Sequence, residues 1–586
     1  MNPVPPSALP SGGPDPESRV HRPGPDGPHR TVRSGLSRRG FMGLGAAAAS
    51  LALAGCGSGE GQPGAAVAQA SGEPQRGGIL RIGMTGGGAS DSLDAHAPVV
   101  TADGGRVMGL YDRLYEFDPD YKTVPGLAES ARPLKGGRTW EFRLREGVRF
   151  HDGRPLTPQD VVATFERITN PKDPKTGASA LAALKRVVAV GERTVRFELE
   201  QPDSTLLDSL SQNSMGIVPA DYDPEKPVGT GPFTLGDFEP GQLTVLKRNP
   251  DYWAEPPYVD EVHLLNFNDP DALVNALLST QVDVVGQLPL ALVDVVNTDP
   301  RLHTVLSETG NWLPFTMRVD VAPFDDPRVR QAFRLVVDRE QMVEQVFSGH
   351  GTVANDMYAP FDPGTPDLPQ RTRDIAKARK LLADAGHPDG LEVELVTAPI
   401  QSGAVEAAQV FVEQAAEAGI TVTLRRVDST TFFGDGYLQY PFSQDFWYTR
   451  NFLSQTAQGT VEKAPFNETH WADPKFTELY AKARATMDEK KRNQLIAKAQ
   501  KQLHDEGGYI AWGFFNQADA YQNYVGGGFA HRIGMPVCVF HMRHLWIDQE
   551  RKLSHGRHDP QTAGSLGLRA AGSVPAGVRV HPHAPR

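Results

Sequence analysis

The stretch Gly147-Val-Arg-Phe-His-Asp-Gly-Arg-Pro-Leu-Thr-Pro-Gln-Asp-Val-Val-Ala-Thr-Phe-Glu-Arg-Ile-Thr169 changes conformational character twice. His151-Asp152-Gly153 reads as a turn in which Gly153 is free to take a positive φ. Thr157-Pro158-Gln159-Asp160 is a helix start: Thr157 caps, Pro158 suits the first turn and Asp160 sits at the capping-box position. Val161, Val162, Phe165 and Ile168 then fall on one apolar helical face. On one side, Arg138 to Arg145 alternates as a strand with Trp140, Phe142 and Leu144 inward; on the other, Thr194 to Glu200 alternates again. Strand, turn, capped helix and strand make a mixed α/β unit.

Working outward, Gly77 to Gly83 is an apolar-alternating strand, and Met108 to Phe117 carries apolar residues at helical spacing. Pro227-Val-Gly-Thr-Gly-Pro-Phe233 is glycine-rich, but no Gly-Lys-Ser/Thr follows to make a phosphate cradle, so Gly229 and Gly231 read as a tight turn. A strand, a Pro240-Gly241 turn and a second strand lead to Arg248-Asn-Pro-Asp-Tyr-Trp253. Asp326-Pro327 starts a long helix with Val329, Ala332, Phe333 and Val336 as its buried stripe, closed by Gly349. Asp374 to Ala385 is a second amphipathic helix, stopped by Gly386 and Pro388. Leu391–Val396, a helix over Val405–Ala418 and Ile420–Val427 form a β-α-β unit, hence parallel strands. Lys475 to Asp505 is helical, as a pair of helices.

These segments, in this order, resemble solute-binding family 5, the dipeptide- and oligopeptide-binding proteins of ABC importers. Gly147–Thr169 carries the likeness most clearly. Pro227–Phe233, Arg248–Trp253, Val282-Asp283-Val284, Pro323–Ala332 with Val337-Asp338-Arg339-Glu340, and Ile375–Gly390 repeat it, over roughly Gly77 to Ile547. The resemblance implies a type II periplasmic-binding-protein fold: two α/β lobes with a hinge, plus the extra domain of the peptide-binding cluster. The expected division is lobe I in 75–117, 228–315 and 515–550, the extra domain in 118–227, and lobe II in 316–514.

The termini address the chain. Ser37-Arg38-Arg39-Gly40-Phe41-Met42 reads as a twin-arginine export signal, and the apolar run to Ala54, about 14 residues, is too short to span a bilayer. Leu53-Ala54-Gly55-Cys56 resembles a lipobox, which implies a lipid anchor on Cys56 at the outer face of the membrane. Residues 1–55 are therefore a disordered extension and signal, 56–74 a lipidated cysteine with flexible linker, and 551–586 a disordered tail. Cys538 is left alone, so no intrachain disulfide is available.

The 586 residues are too many for one ordinary core, and 39% hydrophobic with 22% charged residues suits a soluble multidomain protein. The net charge of −12 understates the acidity of the body, because both termini are basic; residues 56–550 carry −20. Such a body excludes nucleic acid as a partner. No Gly-x-Ser-x-Gly, His-Glu-x-x-His, Cys-x-x-Cys or strand–helix Gly-x-Gly-x-x-Gly occurs, and His151-Asp152 lies in a turn before a capped helix, so a binder without catalysis, cofactor or metal is expected.

A cleft needs apolar walls with a few placed polar groups. Three aromatic-rich loops are candidates: Asn311-Trp312; Asp445 to Asn451 with Trp447, Tyr448 and Arg450; and Trp512 to Asn516 with Phe514. Ser90 and Asp91, after the first strand, are weaker ones. The resemblance implies that an Asp following the Trp of the second loop pairs with a peptide's amino terminus, yet Arg450 stands where an acidic residue is expected. Three readings remain: Asp445 takes the amine role, Arg450 takes a carboxylate, or the two form an ion pair. The expected function is extracytoplasmic capture of an oligopeptide or similar small solute by a monomer, delivered to the permease subunits of an ABC importer. The alternatives are a non-peptide solute (metal chelate, polyamine, sugar or siderophore), a secreted hydrolase and a sensory lipoprotein.

Overall fold

The computed structural model describes residues 72–555 apart from Ser90 and Val99; the export signal at Arg38 and Arg39, Cys56, Ser90 and the tail beyond 555 lie outside the described residues. Among the described residues no helix is long and apolar enough to cross a membrane.

Lobe I is organised on one sheet in the order Leu302–Trp312, Gly513–Gln522, Val284–Val285, Ile79–Thr85, Glu261–Phe267, Leu243–Arg248, Phe233–Glu239. The first strand runs parallel to Glu261–Phe267 and to Val284–Val285, and the outer pairs are antiparallel. Leu80, Ile82, Val262, Leu264 and Val284 fill its core. The helix expected over Met108–Phe117 is instead Thr101–Leu110, followed by the strand Tyr115–Phe117. Three glycines hide it, because they lower helix propensity. Packing demands them: a Cβ on Gly104 would come 2.7 Å from the Phe540 ring and one on Gly109 2.8 Å from Leu246.

The inserted domain is an antiparallel sheet, Ala128–Leu134, Thr139–Leu144, Thr194–Leu199, Leu184–Ala189, covered by the helix Pro158–Ile168. Trp140, Phe142, Val161, Phe165 and Phe197 make its core, and the Thr157/Asp160 capping box forms as the sequence predicts. His151 is no half-dyad. Its ring accepts from the Gly229 N–H (3.3 Å) and donates to the Gly231 carbonyl (3.1 Å), while Asp152 pairs with Arg154. Beside it, Asp112 accepts from Thr230 (3.0 Å), Tyr252 (3.0 Å) and Trp253 (2.7 Å). Burial and the neighbouring Glu116 charge push the Asp112 carboxyl up to about 6. The Gly-Thr-Gly motif thus takes His151 of the inserted domain onto lobe I, while the Tyr-Trp motif ties Asp112 within lobe I. Asp94–Arg167 (2.7 Å) adds a second tie.

Lobe II holds a sheet of Phe442–Gln444, Phe315–Met317 and Tyr509–Ile510, and the parallel pair Leu391–Thr397/Ile420–Arg426 joined through Ala404–Ala416. The single long helix expected from Asp326 is two, Pro327–Leu335 and Arg339–Phe347. Asp338 breaks it by capping the second, accepting from the Gln341 N–H (3.0 Å), and Arg339 turns back onto Asp356 (2.6 Å). Arg330 donates to the Glu506 carbonyl (2.9 Å) and Arg334 to that of Tyr509 (3.0 Å), so the arginines of this motif hold the returning chain. The helices Pro474–Arg484 and Glu489–Glu506 complete the lobe.

The inserted domain also reaches lobe II directly. Arg484 pairs with Asp203 (2.6 Å), the Ser204 N–H donates to the Arg484 carbonyl (2.8 Å), and Met487 packs on the inserted-domain core. At the C-terminal end, order continues past residue 550, contrary to expectation. Gln549–His555 is a helix, with Lys552 on Asp283 (3.3 Å) and Arg551 on the Asn523 carbonyl (2.8 Å).

A Cβ on Gly231 would lie 2.4 Å from the backbone carbon of Leu110 and 2.5 Å from the Gly109 oxygen. Backbone cannot yield as a side chain can, so Gly231→Ala is expected to cost about 3 kcal/mol or more in urea unfolding. A cost below about 1 kcal/mol would refute this account of the motif.

Candidate functional site

Two strands cross between the lobes, Leu302–Trp312 outward and Gly513–Gln522 on return, paired antiparallel with an irregularity between Ser307 and Asn311. Thr309 stabilises the bulge, its hydroxyl donating to the Phe515 carbonyl (2.6 Å) and accepting from the Asn311 N–H (3.1 Å). The fully buried Asn311 side chain then ties three segments together. Its Oδ1 accepts from the Thr449 N–H (2.8 Å), and its Nδ2 donates to the Gly534 carbonyl (3.3 Å). Trp312 and Trp447 exchange backbone N–H···O bonds, both 3.0 Å. The Asp445–Asn451 loop is therefore strung along the outward crossing strand.

Tyr448, Thr449 and Arg450 line a cavity of about 140 Å³, whereas Asp445 and Trp447 are turned into the buried interior. The other walls come from Arg113 and Phe117 of lobe I, Tyr121 in the hairpin that leads into the inserted domain, Asp208, Ser211, Gln212 and Asn213 of that domain, and residues between Ile533 and His541. All three parts of the molecule meet there.

The inward face is a sealed polar cluster. Trp447 Nε1 donates to Glu468 (3.0 Å), Tyr509 donates to the other Glu468 oxygen (2.6 Å), and Tyr437 donates to Asp445 (2.7 Å). Burial raises both carboxyls, Glu468 well above its ordinary value. Asp445 thus does not face the cavity, and the Asp445–Arg450 ion pair is not formed. Arg450 lies over the Trp447 ring (5.4 Å to its centre) with one long hydrogen bond to Gln455 (3.5 Å). Among the described residues no carboxylate lies within ion-pair distance of it, and burial lowers its pKa. Asp208 accepts from Asn451 (2.9 Å) and Ser454 (3.4 Å) at Oδ2, and burial pushes it up to about 6. Arg113 is already paired with Glu116 (3.1 Å), and burial brings His541 down to about 4, neutral at pH 7.

Four of the remaining candidates are structural. Trp512 stacks on Phe347 (4.6 Å) in the lobe II core, Trp312 packs edge-on to Tyr509 (5.3 Å), and Phe514 joins the same cluster as Trp312. Asp91 is buried against Arg106 (2.5 Å) and also accepts from the Gly241 N–H (3.1 Å) and Asn266 (2.8 Å). Aromatic density in a sequence marks core and cleft alike, and these rings went to core. Asn516 lines a second interlobe cavity, of about 490 Å³, with Gln287, Gln345, Gln401 and Gln517.

Asp208, Tyr121 and the Ile533–His541 wall carry no sequence signal. That wall includes Val537, Cys538, Val539 and Phe540 at φ 51°, 53°, 59° and 57°, a left-handed turn that two β-branched residues disfavour. Asp519, on the return strand, holds it by accepting from the Val537 N–H (2.7 Å).

Two α/β lobes joined by crossing strands, with a partly open cavity between them, define a solute-binding protein of the interlobe-cleft class. The family described as bacterial extracellular solute-binding proteins, family 5 (middle region), matches residues 122–463, and the chain belongs to it. It is 27% identical to the dipeptide-binding protein of Escherichia coli (strain K12), over 68% of this chain and 82% of that one. It is equally 27% identical to heme-binding protein A of Haemophilus influenzae, over 68% and 81%. Among solved structures, the periplasmic binding protein AgaA of A. tumefaciens R10 in complex with agropinic acid superposes with a TM-score of 0.69 at 25% identity, covering 80% of this chain and 99% of that one. DppA of Helicobacter pylori in complex with the peptide STSA shares the fold at TM-score 0.69 and 20% identity, over 81% and 99%. The fold is the type II periplasmic-binding-protein fold, and members of the family are extracytoplasmic binding proteins rather than enzymes.

Asn311→Leu leaves the Thr449 N–H and the Gly534 carbonyl unpaired in a buried joint. At about 1–3 kcal/mol for each orphaned group, unfolding should shift by roughly 2–5 kcal/mol in urea. A shift under about 1 kcal/mol would show that water or rearrangement replaces both bonds.

Proposed function

We propose that the chain is an extracytoplasmic receptor that captures an oligopeptide or similar small solute in the interlobe cavity and delivers it to the permease subunits of an ABC importer. It acts as a monomer, tethered to the outer face of the membrane through a lipid on Cys56 after twin-arginine export. The observation that carries this is the position of the cavity. Its walls come from lobe I, the inserted domain and lobe II together, so a solute inside touches all three and favours the arrangement in which they meet. Family membership and relatives named for dipeptides support the importer role and the peptide. Tyr448 and Tyr121 offer flat apolar faces with polar tips, which suit side chains of varied kind.

A second reading has its own support. Asp445, one candidate for holding a peptide's amine, is buried and bonded to Tyr437, and Arg450, where the peptide-binding pattern has an acid, faces the cavity instead. That favours a non-peptide acid, and the neighbouring fold AgaA was solved with agropinic acid.

Native mass spectrometry of the intact chain, gently purified and then denatured to release its cargo, decides between them. A ladder of short-peptide masses is expected. One non-peptide mass would replace the peptide reading with the second, and undiminished solute uptake in a deletion strain would remove the importer role.

A further inference from the structure

The cavity holds two charged side chains of opposite sign that the protein does not pair. Arg450 comes from lobe II and Asp208 from the short helix Leu206–Leu210 of the inserted domain. Neither has a counter-charge within ion-pair distance among the described residues, and they do not pair with each other. Tyr121 lies within the electrostatic reach of both, which places them around one common space. The other charges in that space are spent: Arg113 is paired with Glu116, and His541 is neutral at pH 7. Both side chains are half-buried, and a charge partly withdrawn from water without a partner carries a cost. Two of them in one cavity, on domains that meet there, await a ligand that supplies both counter-charges.

We infer that the ligand is a compact zwitterion, its anionic group seated on Arg450 and its cationic group on Asp208, so that it bridges lobe II to the inserted domain. This rests on the proposed receptor function and deepens it. The guanidinium fork suits a carboxylate, and the Asp208 Oδ1 is left free by the bonds from Asn451 and Ser454 at Oδ2. The anionic end of the solute, not its amine, therefore enters beside Tyr448. Asp445 supports the loop and does not touch solute. Because the two contacts belong to different domains, both exist only when the domains approach, which gives the solute a differential affinity for the closed arrangement. The inserted domain thereby becomes part of the recognition machinery.

The test uses the full chain at pH 7.5 with alanyl-phenylalanine and alanyl-alanyl-phenylalanine, each free, N-acetylated and C-amidated, measured by calorimetric titration. Hydrogen bonds to charged groups are worth about 1.5–3 kcal/mol, so amidation or acetylation should each weaken wild-type binding tenfold or more. In Arg450→Gln the amidation penalty should vanish while the acetylation penalty stays, and in Asp208→Asn the reverse. Asp445→Asn should leave both penalties intact. Unchanged circular dichroism and melting of each variant exclude misfolding. If both penalties persist in both variants, or if the acetylation penalty vanishes in Asp445→Asn, the assignment is overturned. Equal binding of all three forms overturns it too but leaves the peptide receptor standing. Binding of none of them removes the peptide reading and this inference together.

Discussion

The side chain of Asn311 is the point on which the two halves of the molecule register. A side-chain amide carries a donor and an acceptor on separate atoms, and here it joins the crossing strand to the cavity loop and to the wall beyond Gly534. The bulge that aims it is in turn fixed by Thr309. Two of the cavity's walls, the Tyr448–Arg450 face and the segment from Ile533 to His541, are tied to it through Thr449 and Gly534. A single buried polar residue sets the register of structures on either side of a hinge, where an apolar residue of the same size would pack without specifying one.

The frame was legible because its motifs are local. The capping box of Thr157, the β-α-β unit over 391–426 and the strand alternation each follow from spacing within a dozen residues or so. The family's glycine, tyrosine and arginine motifs turn out to serve fixed packing: Gly229 and Gly231 seat His151 of the inserted domain, Tyr252 and Trp253 bond Asp112 within lobe I, and Arg330 and Arg334 hold the returning chain within lobe II. The site was legible only in part. Tyr448 and Arg450 stood out, but Trp312, Trp512 and Phe514 looked the same in sequence and lie in the core. Asp208 could not be found from its surroundings in the chain, since what makes it matter is Asn451, far away in sequence.

This division has a physical basis. Joints between domains need fixed partners, and fixed partners leave motifs; a ligand contact needs a group left unsatisfied by the protein, which leaves none. The inward face of the cavity loop shows the contrast within a few residues. Trp447 and Asp445 are saturated with partners, while Tyr448 and Arg450, one position along, keep their bonding capacity for something else.

The tie between Asp203 and Arg484, with the Ser204 N–H on the Arg484 carbonyl, joins the inserted domain to lobe II using protein atoms alone. Such a contact stabilises the shut arrangement whether or not solute is present, so it sets a population rather than a preference. Each tenfold gain in the shut fraction, about 1.4 kcal/mol, raises apparent affinity tenfold while that fraction is small. The same gain makes the empty receptor resemble the loaded one to whatever reads its shape. On the proposed receptor function, sensitivity at low solute concentration is traded against futile encounters with the importer, and the Asp203–Arg484 pair bears on where that balance falls.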